Sequence, residues 1–91
     1  MVNYQLLISG RVQGVGMRWS IYQLASQHQL AGLVKNLPTG KVYCELQGED
    51  NIVKKVIAAI KNGPTPYAKI TNVKVTPGKI STYPQGFTIE R

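Results

Sequence analysis

Residues 4–28 read YQLLISGRVQGVGMRWSIYQLASQH, and the hydrophobic period changes within this stretch. Up to Ile8, apolar and polar side chains alternate apart from Leu7, which is typical of a strand with one buried face. From Gly16 the apolar period becomes helical, which predicts an amphipathic helix that ends before Ala31. The members of this helical stripe are Met17, Ile21, Leu24, Ala25 and His28. The chain therefore begins with a strand, a glycine-rich loop and a helix.

The rest of the chain continues this alternation of strands and helices. Residues 32–37 and 41–48 alternate around Pro38-Thr39-Gly40, which predicts a hairpin. Asp50 is the predicted N-cap of a second helix that stops at Gly63-Pro64, and residues 70–76 and 87–89 are predicted strands. The order β-α-β-β-α-β plus a short C-terminal strand predicts an α+β ferredoxin-like sandwich. In this fold an antiparallel sheet carries two helices on one face.

Length and composition predict one domain that spans residues 1–91. The formal net charge is +7, which favours an anionic partner such as nucleic acid, acidic lipid or a small phosphorylated or carboxylated substrate. The apolar runs are much shorter than the roughly 20 residues of a membrane span, and the N-terminus lacks the pattern of a signal peptide. We therefore expect a cytoplasmic protein that does not enter membranes, and nothing in the sequence requires more than a monomer.

The loop between the first strand and the first helix has the composition of an anion site. Its glycines allow positive φ, and successive amides can point inward beside the positive end of a helix. Arg18 lies in the first helical turn, where it opposes the helix dipole and where a bound anion would offset that cost. The same spacing is also explained without an anion, by a tight strand-to-helix turn in which Arg18 is a solvated helix residue. The Walker A and dinucleotide-binding patterns both fail here.

The same residues resemble a known family. Residues 10–18, GRVQGVGMR, look like the acylphosphatase signature G-x-V-Q-G-V-G-F-R, and residues 32–36, GLVKN, look like its second signature, G-x-V-x-N. The resemblance extends over nearly the whole chain. Met17 and Leu33 depart from the usual phenylalanine and tryptophan, and we expect both to alter packing near the site rather than its chemistry.

The resemblance implies a fold, an activity and a set of site residues. The fold is again the ferredoxin-like sandwich, and the activity is hydrolysis of the carboxyl–phosphate bond of acyl phosphates without metal or cofactor. Arg18 and Asn36 are the implied catalytic residues, with Asn36 holding the attacking water. The phosphate, or a sulfate in its place, is expected on Arg18 and on the backbone amides of Gln13, Gly14, Val15, Gly16, Met17 and Arg18.

The sequence is poor in proton carriers, and this reaction needs few. An acyl phosphate leaves as a carboxylate whose conjugate acid has a pKa of about 4, so the leaving oxygen requires no general acid. Phosphoryl transfer depends mainly on positioning and charge stabilisation, which an arginine and preorganised amides provide. Simple alkyl phosphates, with poorer leaving groups, are expected to be bad substrates.

Other functions fit parts of the sequence less well. Cys44 is the only cysteine, which excludes a disulfide and a Cys-rich zinc cage, and Asp50 stands where a cysteine phosphatase needs arginine. A nucleic-acid-binding module of the same fold suits the charge but lacks the expected strand aromatics. A non-catalytic phosphate-ligand-binding domain, or one that handles carbamoyl phosphate as in hydrogenase-maturation proteins, is the second alternative. The length of the chain favours a free-standing enzyme.

Overall fold

Five strands and two helices follow one another in the predicted order. The computed structural model describes residues 1–90. In chain order the elements are β1 (Val2–Arg11), α1 (Met17–Gln27), β2 (Ala31–Asn36), β3 (Val42–Gly48), α2 (Asp50–Lys61), β4 (Lys69–Pro77) and β5 (Phe87–Glu90).

The strands form one sheet in the order β4-β1-β3-β2-β5. β1 pairs antiparallel with β3 and β4, and β2 pairs antiparallel with β3. This four-stranded core with its two helices confirms the predicted ferredoxin-like fold. The C-terminal strand β5 pairs parallel with β2, because the chain crosses from β4 at one edge to the other edge and runs beside β2 in the same direction. The complete sheet is therefore mixed.

One hydrophobic cluster lies between the sheet and the two helices. Alternate strand residues point into it, as the period of two requires, and α2 contributes its apolar stripe. The fully buried strand residues are Leu6, Ile8, Val34, Val42, Cys44 and Leu46, and the buried helix residues are Met17, Ile21, Ala25, Val53, Val56, Ile57 and Ile60. The even-numbered residues of β2, which include Asn36 at its end, face the helices.

The helix ends differ in one position from expectation. The N-cap of α2 is Glu49 and not Asp50, because Glu49 is still extended, with ψ of 137°, and the helix turns begin one residue later. Asp50 instead accepts a hydrogen bond from Lys54 one turn on, at 3.2 Å. At the other helix, His28 is the C-cap residue of α1, and its Nδ1 lies 2.9 Å from the Leu24 carbonyl oxygen.

Neither helix in the described residues is long and apolar enough to cross a membrane.

Candidate active site

The loop between β1 and α1 contains two glycines whose backbone lies in the left-handed region of φ and ψ. Gly14 has φ of 74° and Gly16, the N-cap of α1, has φ of 79°. Non-glycine residues are strained there, so these two positions explain the loop's composition. Gly10 serves another purpose, because a Cβ at this position would lie 2.1 Å from the Lys69 carbonyl oxygen. It permits the close approach of β4 and not of a ligand.

The backbone amides of this loop are free to bind a ligand. The first helical bond of α1 is donated by the Ser20 amide to the Gly16 carbonyl oxygen, at 3.0 Å. Within residues 1–90, no amide of residues 13–18 donates to a protein acceptor. The N-terminus of a helix carries a partial positive charge, so these donors and the helix dipole favour the same anion.

A cavity of about 460 Å³ opens over the start of α1. It brings together Asn36 and four of the predicted loop residues, whereas Gln13 and Val15 do not line it. The lining residues are Val12, Gly14, Gly16, Met17, Arg18, Trp19, Asn36 and Ile89. Arg18 is the only charged side chain among them, so the described walls attract an anion and contain no carboxylate to repel it.

The guanidinium of Arg18 is positioned by the last strand. Its Nη1 donates to the backbone carbonyl oxygen of Glu90 at 3.2 Å, which joins the first turn of α1 to the end of β5. A guanidinium has five N–H donors, and this is the one bond it makes within the described residues. Its other donors have no partner in the described part of the chain and can bind a ligand in the cavity.

Asn36 is the last residue of β2 and faces the same side of the sheet as the buried Val34. Its Oδ1 is buried and has no hydrogen-bond donor among residues 1–90. A buried acceptor without a donor costs about 1–3 kcal/mol. An acceptor of this kind in the wall of a polar cavity is typical of a group that binds a ligand or a reacting water.

Two side chains that sequence reasoning missed hold the loop in place. Gln13 Nε2 donates to the carbonyl oxygens of Leu37 and Lys41 at 2.8 and 2.9 Å, and Thr65 Oγ1 donates to the Val15 carbonyl oxygen at 3.1 Å. The loop is thereby tied to the β2–β3 turn on one side and to the segment after α2 on the other. Neither contact has a local sequence signal, because each partner is distant in the chain.

The two departures from the family pattern have different outcomes. Met17 is 2% exposed and belongs to the hydrophobic cluster beside the cavity, so it affects packing there, as expected. The expectation for Leu33 was wrong. Leu33 is opposite Glu45 on the face of the sheet that points away from the helices, because its position in β2 is odd where Asn36 is even.

A second cavity, of about 440 Å³, lies on this other face. Glu45 in its wall already accepts hydrogen bonds from the hydroxyls of Tyr43 and Tyr83, at 2.6 and 2.5 Å. It lacks a glycine loop, a helix N-terminus and an arginine among its described lining residues, so it suits an anion less well than the first cavity.

Cys44 is fully buried in the cluster, and burial raises the pKa of its thiol well above the ordinary value. Such a thiol is not a nucleophile at neutral pH. Within residues 1–90, no three His, Cys, Asp or Glu side chains come together as a metal site.

The sequence and the structure were compared with known proteins. The family model described as acylphosphatase matches residues 4–89. The chain belongs to the acylphosphatase family. The acylphosphatase of Bacillus subtilis is 40% identical over 76 residues, which are 84% of this chain and 82% of that protein. Membership makes the chain an enzyme of the class that hydrolyses acid anhydrides.

Solved structures agree with this assignment. The crystal structure of acylphosphatase from Bacillus subtilis superposes with a TM-score of 0.92 at 35% identity and covers all of both chains. Full-length HypF, in a phosphate- and nucleotide-bound form, contains a similar unit, with a TM-score of 0.87 and 28% identity. That match covers 99% of this chain and 12% of the HypF chain. The family match favours a hydrolase over a nucleic-acid-binding module.

Proposed function

We propose that this enzyme hydrolyses acyl phosphates by in-line attack of a water molecule on a phosphoryl group held in the cavity at the start of α1. The observation that carries the proposal is the convergence on one cavity of Arg18, Asn36 and loop amides that have no hydrogen-bond partner within residues 1–90. The walls offer several donors to an anion and one neutral amide to a water. This combination suits phosphoryl transfer, where positioning and charge stabilisation dominate.

Each group has a distinct role in the proposed reaction. The amides of the cavity-lining residues Gly14, Gly16, Met17 and Arg18, together with the guanidinium of Arg18, bind the three non-bridging oxygens of the phosphoryl group and stabilise their charge. A small rotation of the Asn36 carboxamide lets its Oδ1 accept a hydrogen bond from the attacking water, which satisfies this buried acceptor and directs the water's lone pair at phosphorus.

The balance of the step requires no further proton carrier. The water oxygen bonds to phosphorus while the bond from phosphorus to the carboxyl oxygen breaks, and the electron pair of that bond leaves with the carboxylate. The proton of the water passes to a phosphate oxygen. Since the carboxylate is a weak base with a conjugate-acid pKa of about 4, no acid side chain is needed to protonate it. We propose for the same reason that the reaction uses no metal ion.

The experiment that tests these roles is hydrolysis of benzoyl phosphate, with chelator present, by the wild type, Arg18→Ala and Asn36→Ala. Arg18→Ala is expected to lose roughly 10³-fold or more in kcat/KM and to bind inorganic phosphate more weakly as an inhibitor. Asn36→Ala is expected to lose kcat while phosphate inhibition stays close to that of the wild type. Arg11→Ala and Asn72→Ala are matched controls, because both residues are exposed and lie outside the lining of the cavity.

Two results contradict the proposal. Unchanged phosphate inhibition in Arg18→Ala would show that the guanidinium does not bind the phosphoryl group. Equal turnover of benzoyl phosphate and a simple alkyl phosphate by the wild type would show that the leaving carboxylate is not what makes the reaction possible.

A further inference from the structure

Two exposed apolar side chains share the cavity with the anion-binding groups. Trp19 is 56% exposed and Ile89 is 38% exposed, and both line its wall. Residues of this size are mostly buried, and grouped exposed apolar side chains mark places where ligands bind. These two side chains do not bind the phosphoryl group, because its oxygens require hydrogen-bond donors.

The indole of Trp19 is fixed in position by other aromatic rings. It stacks on Tyr22 one turn along α1, with ring centroids 5.4 Å apart and 23° between the planes. Tyr22 in turn packs against Phe87, with centroids 6.4 Å apart, and Phe87 is 7% exposed. The row of rings connects the rim of the cavity to the hydrophobic cluster. A ligand that contacts the indole therefore meets a preorganised surface and does not have to order it.

The described wall of the cavity suits an uncharged acyl group better than a charged one. Arg18 is the only charged side chain among the described lining residues, and the proposed function assigns it to the phosphoryl group. Among residues 1–90, a second anionic group on the substrate has no further cation in this wall. Trp19 and Ile89 are the exposed large apolar side chains among the described lining residues, so an acyl group in this cavity would contact them.

We propose that Trp19, together with Ile89, forms the subsite for the acyl group and selects acyl phosphates whose acyl group is aromatic or otherwise large and apolar. This inference rests on the proposed function. An aromatic acyl group attached to the bound phosphoryl group stacks on or packs edge-to-face against the indole. A small acyl group such as acetyl makes little of this contact. Trp19 is thus a specificity-determining residue and takes no part in the chemical step.

Kinetics with two substrates separate this role from a structural one. Trp19→Ala is expected to reduce kcat/KM for benzoyl phosphate by about 5- to 30-fold more than for acetyl phosphate, mainly through KM. Trp19→Phe, which keeps an aromatic ring, is expected to recover most of the difference. Tyr67→Ala is the matched control, because Tyr67 is a 75% exposed aromatic residue outside this cavity.

Binding can be measured without turnover, since Trp19 is the only tryptophan of the chain. Titration with benzylphosphonate is expected to change the tryptophan emission over the same concentrations at which it inhibits hydrolysis. Methylphosphonate is expected to bind at least fivefold more weakly. The proposed subsite is wrong if both phosphonates bind equally well, or if Trp19→Ala affects the two acyl phosphates equally.

A different result would contradict the proposed function, namely that the wild type hydrolyses neither acyl phosphate. In that case the phosphonate titration would still test the subsite. Circular dichroism of Trp19→Ala establishes that the fold is intact, and Trp19→Phe tests the inference even where the alanine variant is unstable.

Discussion

The side chain of Gln13 joins the candidate phosphate loop to the turn between β2 and β3. The two carbonyl oxygens that it binds belong to Leu37 and Lys41, which also bond to each other through the Leu37 amide at 2.8 Å. Leu37 directly follows Asn36. The contact therefore couples the loop that would hold the phosphate to the residue that would hold the water.

Gln13→Ala removes both hydrogen bonds and leaves two partly buried carbonyl oxygens without this donor. We expect the free energy of unfolding to fall by about 1–3 kcal/mol and both kcat and phosphate inhibition to weaken, because the two halves of the site are no longer held in register. Denaturant unfolding and benzoyl phosphate kinetics measure these effects. Gln85→Ala, at an exposed loop position, serves as the control. Wild-type stability together with wild-type phosphate inhibition in Gln13→Ala would contradict the bracing role.

Individual residues differ in how far the sequence predicts them. Arg18 and Asn36 are found from the sequence because each lies in a short motif, and the structure places both at one cavity. The bracing contacts of Gln13 and Thr65 are not found, because their acceptors lie 24, 28 and 50 residues away. Such contacts depend on which segments the fold brings together, and no local pattern contains this information.

The pairing of β1 with β4 sets two positive charges against each other. Arg11 is directly opposite Lys69 in the register, and both are exposed. Among the described residues neither takes part in a salt bridge, the one ion pair being that of Lys54 with Asp50. Like charges in directly opposed positions destabilise an antiparallel pair.

Replacing one of these charges with its opposite is expected to stabilise the edge of the sheet. Lys69→Glu changes the like pair into an opposite pair and should raise the free energy of unfolding by about 0.2–1 kcal/mol at low salt. The gain should shrink as salt screens exposed charges. Lys74→Glu is a close control, since Lys74 is exposed on the same strand but lies opposite Leu7. Equal effects of the two variants would mean that net charge, and not the Arg11 pair, determines the change.

At the level of elements, periodicity predicts the hairpin, both helices and the four antiparallel strands. It does not predict that β5 pairs parallel with β2. A strand of four residues carries too little pattern to indicate its neighbour or its direction. The crossover from β4 to the far edge decides both, and the consequence for the site is large, because β5 brings Ile89 to the cavity and the Glu90 carbonyl oxygen to Arg18.

At the scale of the whole molecule, a polar network connects the C-terminal crossover to the central strands. It lies on the face of the sheet that points away from the helices. Asn3 Nδ2 donates to Tyr83 Oη at 2.9 Å, and Gln47 Nε2 donates to the Ser81 carbonyl oxygen at 2.8 Å. Glu45 completes the network by accepting from two tyrosine hydroxyls. The crossover is the segment that carries β5 to the site, so the network helps to hold Arg18's acceptor in place.

The tyrosines of this network and the buried Cys44 thiol make the stability of the protein sensitive to alkaline pH. Burial first, and then the hydrogen bonds to Glu45, raise the pKa of Tyr43 and of Tyr83 above the ordinary value of 10.0, and burial raises that of Cys44 above 9.0. A raised pKa in the folded state means that the folded protein holds the proton more tightly than the unfolded chain. The stabilisation from these groups is complete below pH 9 and is lost as the pH rises through and beyond 10.

We therefore expect the free energy of unfolding to decline above about pH 9, and to decline less steeply in the double variant Tyr43→Phe and Tyr83→Phe. The comparison that matters is between variants measured at the same pH. The control is Tyr67→Phe, at a 75% exposed tyrosine whose hydroxyl makes no hydrogen bond within the described residues. Urea unfolding at a series of pH values from 7 to 11 measures the slopes. If the double variant kept the slope of the wild type, the alkaline loss of stability would not come from the hydroxyl protons that Tyr43 and Tyr83 share with Glu45.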